Sequence, residues 1–178
     1  MTMWRFYLIL PAILSIAGCA SEGDRRDAAA GQRAHDAYDL PPPTQCAIFV
    51  REISGIPMRG DAWTWWDQAG GRYQRDPLPQ QDAILVLRST DRLPHGHVAI
   101  VRRIVGPREI TVTHANWGGD DPTRRLVHDS MAVADISPAN DWTLLRFWNP
   151  ATQSFGRPYE AYGFIHPRGA TRDLQPVW

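Results

Sequence analysis

The chain has 178 residues, and its 19 basic and 19 acidic side chains cancel to a formal net charge of zero. Every basic residue is Arg, with no basic stripe, which argues against nucleic acid as a partner. Two cysteines give no disulfide framework, the length suits one domain, and eight Trp with fifteen Pro point to a loop-rich unit with an aromatic core or groove.

Residues 1–18 read as a secretory leader, with Arg5 in a short basic start and an apolar run over 6–17. That run is shorter than the about 20 residues a membrane span needs. It ends in Ile16-Ala17-Gly18-Cys19, which resembles the lipobox of bacterial lipoproteins. The resemblance implies cleavage before Cys19 and acylation of its thiol and new amino terminus. Ala20 and Ser21 follow rather than Asp, which implies the periplasmic face of the outer membrane of a Gram-negative bacterium. Residues 19–43 lack apolar periodicity and end in Pro41-Pro42-Pro43, so they are expected to be a tether with a stiff end. Its reach is at most ~80 Å, at about 3.3 Å per residue.

The folded unit is expected over 44–167, followed by a polar tail over 168–178. Prolines 41–43 cannot continue a helix, Thr44 is a good N-cap and Gly55 a good stop, so residues 46–54 are expected to form a short helix with Cys46 in its first turn. A second short helix is expected over 61–69, with Asp61 as N-cap and Gly70-Gly71 ending it. Strands are expected over 83–87, 97–104, 109–117, 144–148 and 162–165. Helices first and strands after is an α+β order, with short helices packed on an antiparallel sheet.

Cys46 draws attention because lipidation of Cys19 would leave it the only thiol in an oxidising compartment, where an unpaired thiol is a liability unless buried or needed. A helix start favours thiolate over thiol through its free N–H groups and dipole. A thiolate hydrolase also needs a base, a group that orients the base, and oxyanion donors. His97 begins a strand, and its face of that strand also carries Ala99 and Val101. If the hairpin turns through residues 105–108, Ile104 pairs with Glu109 and His97 lies opposite Asn116, with His114 as a diagonal neighbour on the same face. A two-residue slip would exchange the last two and keep the face.

Gln45-Cys46, Gly60-Asp61-Ala62-Trp63, Gly96-His97-Val98-Ala99-Ile100-Val101 and His114-Ala115-Asn116-Trp117, in that order, resemble a CHAP domain, a cysteine- and histidine-dependent amidohydrolase or peptidase. The resemblance implies a papain-like α+β fold and cleavage of peptidoglycan, as an N-acetylmuramoyl-L-alanine amidase or as an endopeptidase of stem peptides or cross-bridges. It implies Cys46 as nucleophile, His97 as general base and Asn116 as a polar site residue. His114 stands where many members carry Glu or Asp, which leaves open whether His114 or Asn116 orients the base. The backbone N–H of Cys46 and the Gln45 side chain are the expected oxyanion donors, Trp117 the expected shield against water, and Trp63 a groove or core residue.

No cofactor is expected. His95, His97 and His114 match no strong zinc spacing, so no metal is assigned. The competing readings are an amidase acting on a small peptide conjugate such as glutathionylspermidine, which a lipobox disfavours, and a non-catalytic wall-binding or scaffold lipoprotein. The expected partners are peptidoglycan and, through the N-terminal lipid, a membrane.

Overall fold

The computed structural model describes residues 45–167; the leader, Cys19, the tether, Thr44 and the tail lie outside the described residues. Helix α1 spans Cys46–Ser54, and Gly55 ends it in the left-handed conformation (φ 69°), its N–H donating to Arg51 O at 2.9 Å. The N-cap is Gln45, which makes no side-chain cap, rather than the expected Thr44. The second helical segment is a 3₁₀ turn at Ala62–Thr64 running into α2 at Trp65–Gln68. Asp61 precedes it without a side-chain cap, because its carboxylate instead meets His95 Nδ1 at 2.9 Å.

The strands are β1 Gln74–Asp76, β2 Ile84–Leu87, β3 His97–Gly106, β4 Glu109–Ala115, β5 Val127–Asp135, β6 Leu144–Asn149 and β7 Ser154–His166; a one-turn helix, α3 at Asp121–Arg124, lies between β4 and β5. The sheet order is β1-β7-β2-β3-β4-β5-β6, and β6 pairs back onto β7. The last six strands therefore form a closed antiparallel barrel.

This corrects the papain-like α+β expectation: the domain is mostly β, with a barrel where helices on an open sheet were expected, and its helices are few and short. The reason is the 13-residue strand β7. Its first half pairs with β6 and its second half with β2. The bend between the halves comes at a bulge where Tyr162 is left over between the pairs Val86↔Gly163 and Leu87↔Ala161. One strand thus closes the ring between β2 and β6, and the three-residue β1, paired to the end of β7, is the short edge that remains.

Side-chain alternation divides the apolar residues into two cores. Leu85, Leu87, Ala99, Val101, Ile110, Val112, Val133, Leu145, Phe147 and Phe164 fill the barrel. Ile84, Val86, Val98, Ile100, Ala115 and Ile165 face outward and are covered by Phe49, Val50 and Ile53 of α1 and by Trp65. β2 is buried at every position because it serves both cores. Each large side chain so buried contributes roughly 1.5–3 kcal/mol. Helix α1 is thereby fixed against β3 and β4, with its first turn at the end of the barrel where β3 begins and β4 finishes.

The β3–β4 register is Ile100↔Thr113 and Val101↔Val112, as expected at the His97 end. Toward the turn it shifts twice, so that Ile104 pairs with Ile110 and Gly106 with Glu109, and the turn is Pro107-Arg108 alone.

Candidate active site

Three side chains singled out from the sequence are buried at this end of the barrel: Cys46 is 8% exposed, His97 2% and His114 0%. Cys46 packs in the outer core with Val98 and Ala115. The backbone N–H groups of Val98, the residue after His97, of Ala47 and of Cys46 itself lie near its sulfur and favour the thiolate. These donors pull the thiol pKa down, but burial outweighs them and raises it above its ordinary 9.0. The helix start alone predicted a stabilised thiolate; loss of solvent reverses the sign.

His97 stands at the mouth of the barrel, its ring against those of His114 and Trp117. Its Nε2 lies 2.9 Å from Nδ1 of His114, and this is the ring's hydrogen bond among the described residues. Burial drives the His97 pKa down to about 3, with the nearby His128 adding repulsion. Burial, then His97 and His128, also hold His114 well below the ordinary 6.5. Both rings are therefore neutral at physiological pH. Nε2 of His114 is buried without a partner among the described residues.

Asn116 does not meet His97. It lies just past β4 with φ 56°, and Nδ2 donates to Oε1 of Gln45 at 2.7 Å. That bond ties the end of β4 to the residue before Cys46 and leaves the Gln45 amide nitrogen free to donate elsewhere. Between the two polar residues expected on this hairpin, the geometry gives His114 to His97 and Asn116 to Gln45.

Trp117 lies over the imidazoles, with ring centroids 4.5 Å from His97 and 5.4 Å from His114, and packs on Phe147 and Tyr159. Trp63 sits against Gly96, where an added Cβ would fall 2.7 Å from the Trp63 Cβ, and its N–H points at His95 O, 3.4 Å away. It packs beneath the loop that launches His97. Among the described residues no group of three or more His, Cys, Asp or Glu converges to hold a metal ion.

His128 was not singled out from the sequence. It stands opposite His114 across β4–β5, the ring centroids 5.5 Å apart, and its Nε2 lies 2.9 Å from Trp117 O and 3.1 Å from Thr123 O. No signal in the residues around it marks β5 as reaching the site.

The family model for the CHAP domain matches residues 35–116. No curated protein matches the chain. Among solved structures, the chain is similar to an N-acetylmuramoyl-L-alanine amidase from Staphylococcus aureus at 20% identity and a TM-score of 0.39, over 66% of this chain and 30% of that one. It is also similar to Ly7917, solved with the hydrolysing product of MDP, at 14% identity and a TM-score of 0.37, over 78% of this chain and 94% of that one. The chain thus spans less than a third of the length of the first.

Proposed function

Residues 35–116 belong to the CHAP domain family, and from that premise we propose that the protein is a lipid-anchored cysteine hydrolase that cleaves amide bonds of peptidoglycan. The family supports the hydrolase class. The observation that supports thiol chemistry is the placement of the Cys46 sulfur at the Val98 N–H, one residue from His97, with Gln45 pinned beside it by Asn116.

In this reading His97 accepts the thiol proton at Nδ1. Its Nε2 must then carry the ring hydrogen and donate it to Nδ1 of His114, which keeps its own proton on Nε2. A neutral thiol and a neutral, desolvated imidazole do not form a standing ion pair, so proton transfer accompanies attack of the sulfur on the amide carbonyl. The tetrahedral oxyanion takes hydrogen bonds from the Cys46 N–H and the Gln45 amide nitrogen. His97 returns the proton to the leaving amine, and water hydrolyses the thioester. The lipid on Cys19 and the tether would hold this chemistry within reach of the wall.

Free-amine release from purified sacculi tests the proposal. The full chain is expected to release amines and Cys46→Ser to release none above background; equal release by both would remove the hydrolase reading. A non-catalytic wall-binding role is the second reading, favoured by the burial of Cys46 and His97 and by His114 at a position where the family resemblance implies an acid. It predicts that both proteins bind sacculi and neither cuts them.

A further inference from the structure

We propose that His128 is a positioning residue of the site: it latches the loop that holds Trp117 over His97. This rests on the hydrolase reading above. The His97 ring has one hydrogen bond among the described residues, the one to His114, so its remaining freedom is limited by packing, chiefly against Trp117 at 4.5 Å. The backbone around Trp117 is not held by a ladder. β4 ends at Ala115, Asn116 takes φ 56° and Gly118 φ 143°, and the chain then turns through α3 before β5 begins. The loop braces itself, with Asp120 accepting from the Thr123 N–H at 2.9 Å and Arg124 Nε donating to Gly118 O at 3.2 Å. Those bonds stay within the loop and do not fix it to the barrel.

His128 does fix it. Carbonyl oxygens only accept, so Nε2, shared between Trp117 O and Thr123 O, carries a hydrogen and donates. The residue sits on a barrel strand directly opposite His114. One side chain therefore references both the roof over the base and the partner of the base to the same rigid strand. A shift of about 1 Å in a catalytic group can cost a hundredfold in rate, which makes a latch on the roof a determinant of turnover as well as of loop order.

The test compares the full chain with His128→Gln, whose side-chain NH₂ can reach both carbonyls, and His128→Ala, which cannot. Turnover is read as free-amine release from soluble muropeptides, and loop order as amide exchange of residues 117–126 by mass spectrometry. His128→Ala is expected to lose roughly tenfold to a hundredfold in kcat with KM little changed, and to exchange faster over 117–126. His128→Gln is expected to keep kcat within a few-fold and the parental exchange. Equal losses in both variants, or parental kcat in His128→Ala, would overturn the latch. If His128→Ala does not fold, His128→Asn takes its place, because its shorter amide cannot reach the two carbonyls. If the unaltered chain releases no more amine than Cys46→Ser, the hydrolase reading fails. Exchange over 117–126 then still decides the latch, and parental exchange in His128→Ala overturns it.

Discussion

His97 and His114 share a 2.9 Å hydrogen bond in a pocket that leaves them 2% and 0% exposed, and neither ring carries charge at neutral pH. A carboxylate at the second position would hold an imidazolium; a neutral imidazole can only orient its neighbour. The first expectation follows from that difference. His114→Asn places an amide oxygen where Nδ1 now lies and keeps an acceptor for His97 Nε2, whereas His114→Ala leaves that hydrogen unpaired. His114→Ala should lose on the order of a hundredfold or more in kcat, by comparison with the removal of orienting groups in triads, and His114→Asn distinctly less. Steady-state rates on muropeptides read the difference, and equal losses would show that orientation is not what His114 supplies.

The buried pair also sets a pH dependence of stability. The folded pKa of His97 is about 3 against an ordinary 6.5, and His114 is shifted the same way. Between those values the unfolded chain binds more protons than the folded one, so stability rises with pH. It should be complete above pH 6.5 and fall as the pH drops toward 3, by up to about 1.4 kcal/mol per pH unit for each histidine. Urea midpoints from pH 7 to pH 4 measure the slope, and His114→Asn should flatten it. A slope that His114→Asn leaves unchanged would count against this origin.

The thiol should titrate high. Burial raises the Cys46 pKa above 9.0 despite three backbone donors, so alkylation by iodoacetamide in the absence of substrate should be slow at pH 7 and climb beyond pH 9. A rate that plateaus below pH 7 would mean a standing thiolate.

In the proposed mechanism Asn116 serves the oxyanion side, through Gln45. Asn116→Ala removes the 2.7 Å bond to Gln45 and frees an exposed amide to rotate. A loss of roughly tenfold to a thousandfold in kcat is expected, the upper end matching removal of one oxyanion donor, with the melting temperature close to the parent. Gln45→Ala should fall by a similar amount and the double variant little further; additive losses would separate the two residues.

Gly96 is a backbone requirement. Its φ is 62°, and a Cβ there would fall 2.8 Å from Trp63 N and 2.9 Å from Leu87 O. Gly96→Ala should cost about 1–3 kcal/mol, as a strained left-handed position does, and should move the start of β3 enough to lower activity as well. Thermal unfolding with parallel rate measurements checks both effects.

What the sequence made legible was local. Prolines and glycines bracket α1, the apolar run at 83–87 marks β2, and alternation puts His97 and His114 on one face with a register that holds at that end of the hairpin. The closed barrel was not legible, because closure depends on β7 pairing with two distant strands across a bulge, and only residues 162–165 of its 13 were expected as a strand. β5 was hidden because the alternation of residues 131–135 is broken at Ser130 (φ 54°), where the register against β4 shifts. That break also concealed His128. The thiol's ionisation was misjudged for a related reason: a helix start is visible in a sequence, while the packing that dries it is not.

The central claim is that the Cys46 sulfur attacks the substrate carbonyl and carries its acyl group. Acid-quenching the full chain during turnover of soluble muropeptides and mapping the adduct by mass spectrometry tests this directly. The account predicts an acyl mass on the peptide containing Cys46, absent in Cys46→Ser and accumulating when His97 is replaced by Ala only to the extent that attack still occurs. Amine release by the unaltered chain with no adduct on Cys46, or with the adduct on another residue, would contradict it.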